Sequence, residues 1–124
     1  MATFPPTVLI VVVDDEVLER MGASYMFADA GFRVLEAASA AMALQLFEAN
    51  PDIRLLFSDV SMPGAMNGAD LARQVAVSWP KVGIILTSGR PCPDRIPSKV
   101  RFHAKPYDPA DVLRDAGEMA MTSG

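Results

Sequence analysis

The chain has little of the chemistry on which many enzymes and nucleic-acid binders rely. Of its 124 residues one is cysteine (Cys92), one is histidine (His103) and one is tryptophan. A single thiol in a proline-rich stretch can form no internal disulfide and has no second thiol for a zinc site. His103, alone between Phe102 and Ala104, offers too little for a metal-binding histidine cluster or a histidine-based triad, and reads as an edge or surface residue. Basic residues are outnumbered, 11 against 15 acidic, giving a net charge of −4 and a pI near 4.8. Without a clustered basic face, direct nucleic-acid binding is not expected. No apolar run approaches bilayer length, and Met1 to Thr7, with Pro5 and Pro6, lacks the charged start and apolar stretch of a signal peptide. A cytoplasmic location with no membrane partner is the expectation.

What the chain does have is an apolar content of 51% with 21% charged residues, enough for one hydrophobic core. One domain over residues 1–124 is expected, ordered over about 7–120. Short apolar runs alternate with amphipathic stretches, the pattern of βα units around a parallel sheet. Val8 to Val13 is unbroken and β-branched, as in a strand covered on both faces. Glu16 to Ala30 follows as a helix, with Val17, Met21, Tyr25 and Ala28 at helical spacing and Gly31 as its stop. Phe32 to Ala37 is the second strand. Ser39 can cap a helix over Ala40 to Ala49 whose face is Met42, Leu46 and Phe47. Ile53 to Ser58 is the third strand, closing on Asp59. Asn67 can cap a helix from Gly68 to Trp79, with Asp70 near its positive end.

Val82 to Leu86 is the fourth strand, but Arg90 to Lys99 holds Pro91, Pro93 and Pro97 and cannot form a regular helix. Val100 to Ala104 is a fifth strand, and Asp108-Pro109-Ala110-Asp111 starts a last helix to about Met119. A frayed Thr122-Ser123-Gly124 tail is expected. The fold class is therefore α/β, a doubly wound, five-stranded parallel sheet with a degenerate Pro-rich loop where a fourth helix would stand. In such sheets ligands bind beyond the carboxyl ends of the strands.

Those ends carry Asp14-Asp15-Glu16, Asp59, Thr87-Ser88-Gly89 and Lys105-Pro106. Three converging carboxylates repel one another unless a cation neutralises them. Oxygen ligands without histidine or thiolate suit a hard ion, Mg²⁺. With the charge offset, one carboxylate can attack a phosphoryl group while a hydroxyl and an ammonium stabilise its oxygens. Asp59 is the best nucleophile, being central. Taken singly, Asp14 and Asp15 are also ordinary helix caps, Thr87 a turn cap and Lys105 a solvated charge. Their coincidence at successive strand ends is what argues for chemistry.

Val11-Val12-Val13-Asp14-Asp15-Glu16, Asp59-Val60-Ser61-Met62-Pro63-Gly64, Thr87-Ser88-Gly89 and Lys105-Pro106-Tyr107 together resemble the signature blocks of the response-regulator receiver family, in order and over nearly the whole chain. The resemblance implies the flavodoxin-like strand order 2-1-3-4-5. It implies that Asp14 and Asp15 organise Mg²⁺, that Asp59 ligates it and accepts the phosphoryl group, and that the backbone carbonyl of Ser61 completes the protein's share. Thr87, with Ser88 beside it, and Lys105 would bind the phosphoryl group. Pro106 would orient Lys105 and Phe102 would be the aromatic switch. Implied partners are a sensor histidine kinase or histidine phosphotransfer protein and a downstream protein target. The chain would catalyse only its own phosphorylation and dephosphorylation, and Met1 with the short tail favours a stand-alone protein without an output domain.

The Met62-to-Gly68 loop is one residue longer than the family's common form. The small Ser61 and Gly89 beside the site lead us to expect no unusually long phosphoryl lifetime. Signalling is expected to work by ordering or moving Arg90 to Lys99. Alternatives are a non-phosphorylated pseudo-receiver, a haloacid-dehalogenase-type phosphohydrolase, whose second acid would fall at Glu16, and a flavin mononucleotide module, whose phosphate Asp14-Asp15-Glu16 would repel.

Overall fold

The computed structural model describes residues 7–121. Along the chain run β1 (Leu9–Val13), α1 (Val17–Asp29), β2 (Arg33–Ala37), α2 (Ala40–Ala49), β3 (Ile53–Asp59), α3 (Gly68–Ser78), β4 (Gly83–Ser88), β5 (Arg101–Ala104) and α4 (Pro109–Met121). The strands form one sheet in the order β2-β1-β3-β4-β5, every neighbouring pair parallel. Strand order reverses between β1 and β3, so a crevice opens at their carboxyl ends.

Pleating sends alternate residues of the central strands to opposite faces. Val11, Val13 and Leu56 join the layer of α2 and α3 around Phe47 and Leu71. Ile10, Val12, Leu55 and Phe57 join the layer of α1 and α4 around Phe27, Val112 and Ala116. This two-sided burial is why β1 reads as an unbroken apolar run. The expected helix starts are present: Ser39 accepts from the Met42 amide at 3.2 Å, and Asn67 and Asp70 form a reciprocal capping box. Asp108 accepts the Ala110 amide at the start of α4. Gly31 ends α1 with φ at +101°, a conformation open to glycine.

The helix faces differ from the sequence expectation. Of the α1 stripe, Val17 is 54% and Tyr25 64% exposed, with Leu18 beside them at 83%; the buried residues are Ala23, Ser24 and Phe27. In α2 Met42 is exposed, and Ala40 and Ala43 bury beside Phe47. In each helix the inner face pairs two small residues with one phenylalanine, Phe27 in α1 and Phe47 in α2. On a helix apolar around more than one face, periodicity alone does not choose the inner one. Strand β4 runs two residues past its expected end, to Ser88, which puts Thr87 inside the ladder.

The chain from Arg90 to Val100 contains no helix. It is tied to the body in both directions: the Arg73 guanidinium of α3 donates to the carbonyls of Asp94 and Arg95, and the segment's own Lys99 ammonium donates to those of Pro80 and Val82. Ile96 and Val100 pack on the α2–α3 side of the core. The expected fraying of Thr122 to Gly124 lies outside the described residues.

Candidate phosphoacceptor site

Parallel strands bring their carboxyl ends to one edge. Asp14 leaves β1 there, its amide still bonded to Ala37 of β2 at 3.1 Å, while Asp59 is the last residue of β3. One carboxylate oxygen from each of Asp14, Asp15 and Asp59 lies within 4.8 Å of the others. Asp14 and Asp59 are buried and Asp15 partly so. Burial, with Asp59 and Glu19 nearby, pushes the Asp14 carboxyl up to about 6 from an ordinary 3.8, against a hydrogen bond from the Glu16 amide. Burial likewise raises Asp59, despite the Lys105 ammonium and a hydrogen bond from the Ser61 amide. Such crowding is relieved by a cation. The donors are all hard oxygens, so the cluster fits Mg²⁺ better than zinc or copper.

Thr87 of β4 stands in register with Asp59. Its hydroxyl is buried without a hydrogen-bond partner among the described residues, a state that costs free energy unless a ligand answers it. Lys105 follows β5, its amide bonded to the Ser88 carbonyl at 2.8 Å, and the Lys105–Pro106 peptide is cis. The Lys105 Nζ lies 3.5 Å from Asp59 Oδ1 and 3.1 Å from Glu19 Oε1. Burial alone lowers the pKa of this ammonium, but the surrounding carboxylates carry it above its ordinary value. The site thus combines a carboxylate cluster, a hydroxyl and an ammonium around one central aspartate. Residues 10–110 match the family model described as the response regulator receiver domain.

The chain belongs to the response regulator receiver family.

Among its relatives, the rice (Oryza sativa subsp. japonica) two-component response regulator ORR11 is 31% identical over 117 residues, covering 89% of this chain and 78% of that protein. A response regulator receiver protein from Sinorhizobium medicae WSM419 superposes with a TM-score of 0.86 at 21% identity, covering 96% of this chain and 98% of that one. The receiver domain of the hybrid histidine kinase CckA gives 0.76 at 30% identity, covering 90% and 97%.

Of the other residues that the receiver resemblance singled out, Pro106 lines the cleft with Asp14, Thr87 and Lys105, and Ser88 and Phe102 lie on the neighbouring strands β4 and β5. The buried Ser88 hydroxyl accepts the Arg90 amide at 3.0 Å, capping the turn that leaves β4. Phe102, half-buried on β5, packs against the α2–α3 layer in register with Leu86.

Three residues that shape the site went unnoticed in the sequence. Gly68 meets the backbone of Asp59 so closely that a β-carbon there would lie 2.0 Å from the Asp59 carbonyl oxygen. Arg20 donates to the Asp14 carbonyl at 2.8 Å and to Glu36 of β2 at 2.9 Å, holding the end of β1. Glu19 lines the cleft with Asp14, Thr87 and Lys105. Gly68 had a readable signal, a glycine directly after a helix cap; the roles of Arg20 and Glu19 depend on tertiary contacts.

Proposed function

We propose that this receiver takes a phosphoryl group on Asp59 in a two-component phosphorelay and so switches a protein-interaction surface. The observation that supports this best is the convergence of three carboxylates with a buried Thr87 hydroxyl, unpartnered among the described residues, and the Lys105 ammonium 3.5 Å from Asp59. Asp14, Asp15, Asp59 and the Ser61 carbonyl would hold Mg²⁺. When bound, the ion offsets the carboxylate charge and the charge on the transferring phosphoryl oxygens.

In this reading an Asp59 carboxylate oxygen attacks phosphorus in line. An O–P bond forms as the P–N bond to a phosphohistidine breaks, the imidazole keeping the electron pair and taking up a proton. Thr87 donates its hydroxyl proton to one phosphoryl oxygen, and Lys105 pairs with another. Attack of water on phosphorus returns the carboxylate and releases inorganic phosphate. The new charge draws on Thr87, which neighbours His103 of β5 in register, next to Phe102. Phe102, Ser88 and Pro106 would transmit or support that motion.

The donor would be a histidine kinase or phosphotransfer protein, consistent with a cytoplasmic role. It must approach beside the cleft, where α1 exposes Val17, Leu18, Met21 and Tyr25, an apolar surface suited to a protein partner. The test is intact mass after incubation with acetyl phosphate, with and without Mg²⁺. A single-phosphoryl adduct that requires Mg²⁺ and is absent from Asp59→Ala is expected. A folded chain that forms no adduct with acetyl phosphate or with any phosphohistidine donor overturns the reading.

A further inference from the structure

Lys105 has two carboxylate partners, and the nearer is not the phosphoacceptor. Its Nζ is 3.1 Å from Glu19 Oε1 and 3.5 Å from Asp59 Oδ1. Glu19 sits in the first turn of α1, half exposed, and faces the same cleft as Asp14, Thr87 and Lys105. An incoming phosphoryl group needs that ammonium, and it brings negative charge towards Glu19. With three N–H donors the ammonium bridges both carboxylates, so the Glu19 contact holds it on the α1 side of the cleft, and moving onto a phosphoryl oxygen draws it away from Glu19.

We propose that Glu19 is a positioning residue that holds the Lys105 ammonium in reserve and yields it when Asp59 is phosphorylated. Resting on the Asp59 reading above, the inference adds a competitor for the lysine within the site. Glu19 acts on the two ligands in opposite directions. Its negative charge favours a divalent cation at the neighbouring carboxylates, and its hold on Lys105 opposes the phosphoryl group. Because the pair is partly solvated, the effects are modest, about twofold to fivefold, as for other exposed ion pairs.

The experiment measures two quantities for the wild type, Glu19→Gln and Glu19→Asp: Mg²⁺ affinity by calorimetry, and the rate of acetyl phosphate uptake at saturating Mg²⁺. Glu19→Gln removes both charge and hold, so Mg²⁺ should bind about twofold to fivefold more weakly while uptake becomes faster by a similar factor. Glu19→Asp keeps the charge but withdraws the carboxylate by one methylene, so Mg²⁺ affinity should stay at the wild-type value while uptake rises. A residue with a merely structural role would not move the two in opposite senses. Uptake unchanged or slowed in both variants overturns the inference, as does uptake raised in Glu19→Gln alone, which would assign the effect to charge without the contact. If the wild type itself takes up no phosphoryl group, the Asp59 reading falls and the inference with it; wild-type uptake with unresponsive variants removes only Glu19.

Discussion

Replacing Asp14 with asparagine should stabilise the metal-free fold at neutral pH. The carboxyl of Asp14 is raised from 3.8 to about 6 in the folded chain, first by burial and then by Asp59 and Glu19. Below about pH 4 the folded and unfolded states both hold the proton. As pH rises towards 6 the unfolded state releases it first and stability falls; above 6 the full difference is lost. With each pKa unit worth about 1.4 kcal/mol, the rise from 3.8 to about 6 corresponds to about 3 kcal/mol. The asparagine carbonyl can still accept the Glu16 amide, bonded at 2.9 Å. Asp14→Asn should therefore exceed the wild type by about 3 kcal/mol in urea unfolding at pH 8 with a chelator. That corresponds to roughly 10 °C in Tm, and the gain should shrink to below about 1 kcal/mol at pH 4. Added Mg²⁺ should raise the wild-type midpoint and leave the variant's nearly unchanged. A gain equal at both pH values, or a loss at pH 8, would refute the electrostatic account.

Thr87→Val removes a buried hydroxyl without a partner among the described residues, so it should stabilise the chain by about 1 kcal/mol while slowing phosphoryl uptake; thermal melting and adduct formation test the two halves. Gly68→Ala drives a β-carbon into the Asp59 carbonyl; it should cost about 2 kcal/mol or more and reduce Mg²⁺ affinity, read by urea unfolding and calorimetry. Arg73→Ala deletes the bonds to the Asp94 and Arg95 carbonyls. Amide exchange within residues 90–100 should then accelerate with little change in Tm, whereas unchanged exchange would show that Lys99, Ile96 and Val100 hold the segment without Arg73.

Where one physical rule governed an element, the sequence was sufficient. Helix caps at Ser39, Asn67 and Asp108 announced themselves because side-chain oxygens before an apolar run satisfy orphan amides, and three prolines barred a helix between β4 and β5. The acids at the strand ends were legible because a parallel sheet puts all its carboxyl ends on one edge. What escaped was set by tertiary contact. On α1 several faces are apolar, and the one that packs inward carries Ala23, Ser24 and Phe27 and leaves Met21 and Tyr25 exposed. The Arg90-to-Val100 segment was legible only as non-helical; its ties through the Arg73 guanidinium of α3 and through its own Lys99 are tertiary contacts. Likewise, the pairing of Lys105 with Glu19 joins residues 86 apart in sequence, and no local pattern encodes it.

The central claim is that Asp59 carries the phosphoryl group, and chemical mapping tests it most directly. The chain would be treated with acetyl phosphate and Mg²⁺ and reduced with borohydride, which converts an acyl phosphate to the alcohol, homoserine. Peptide mass mapping should then find that conversion at position 59 and at no other acid. Conversion at Asp14 or Asp15 instead, or none on a chain shown to bind Mg²⁺, would contradict the account.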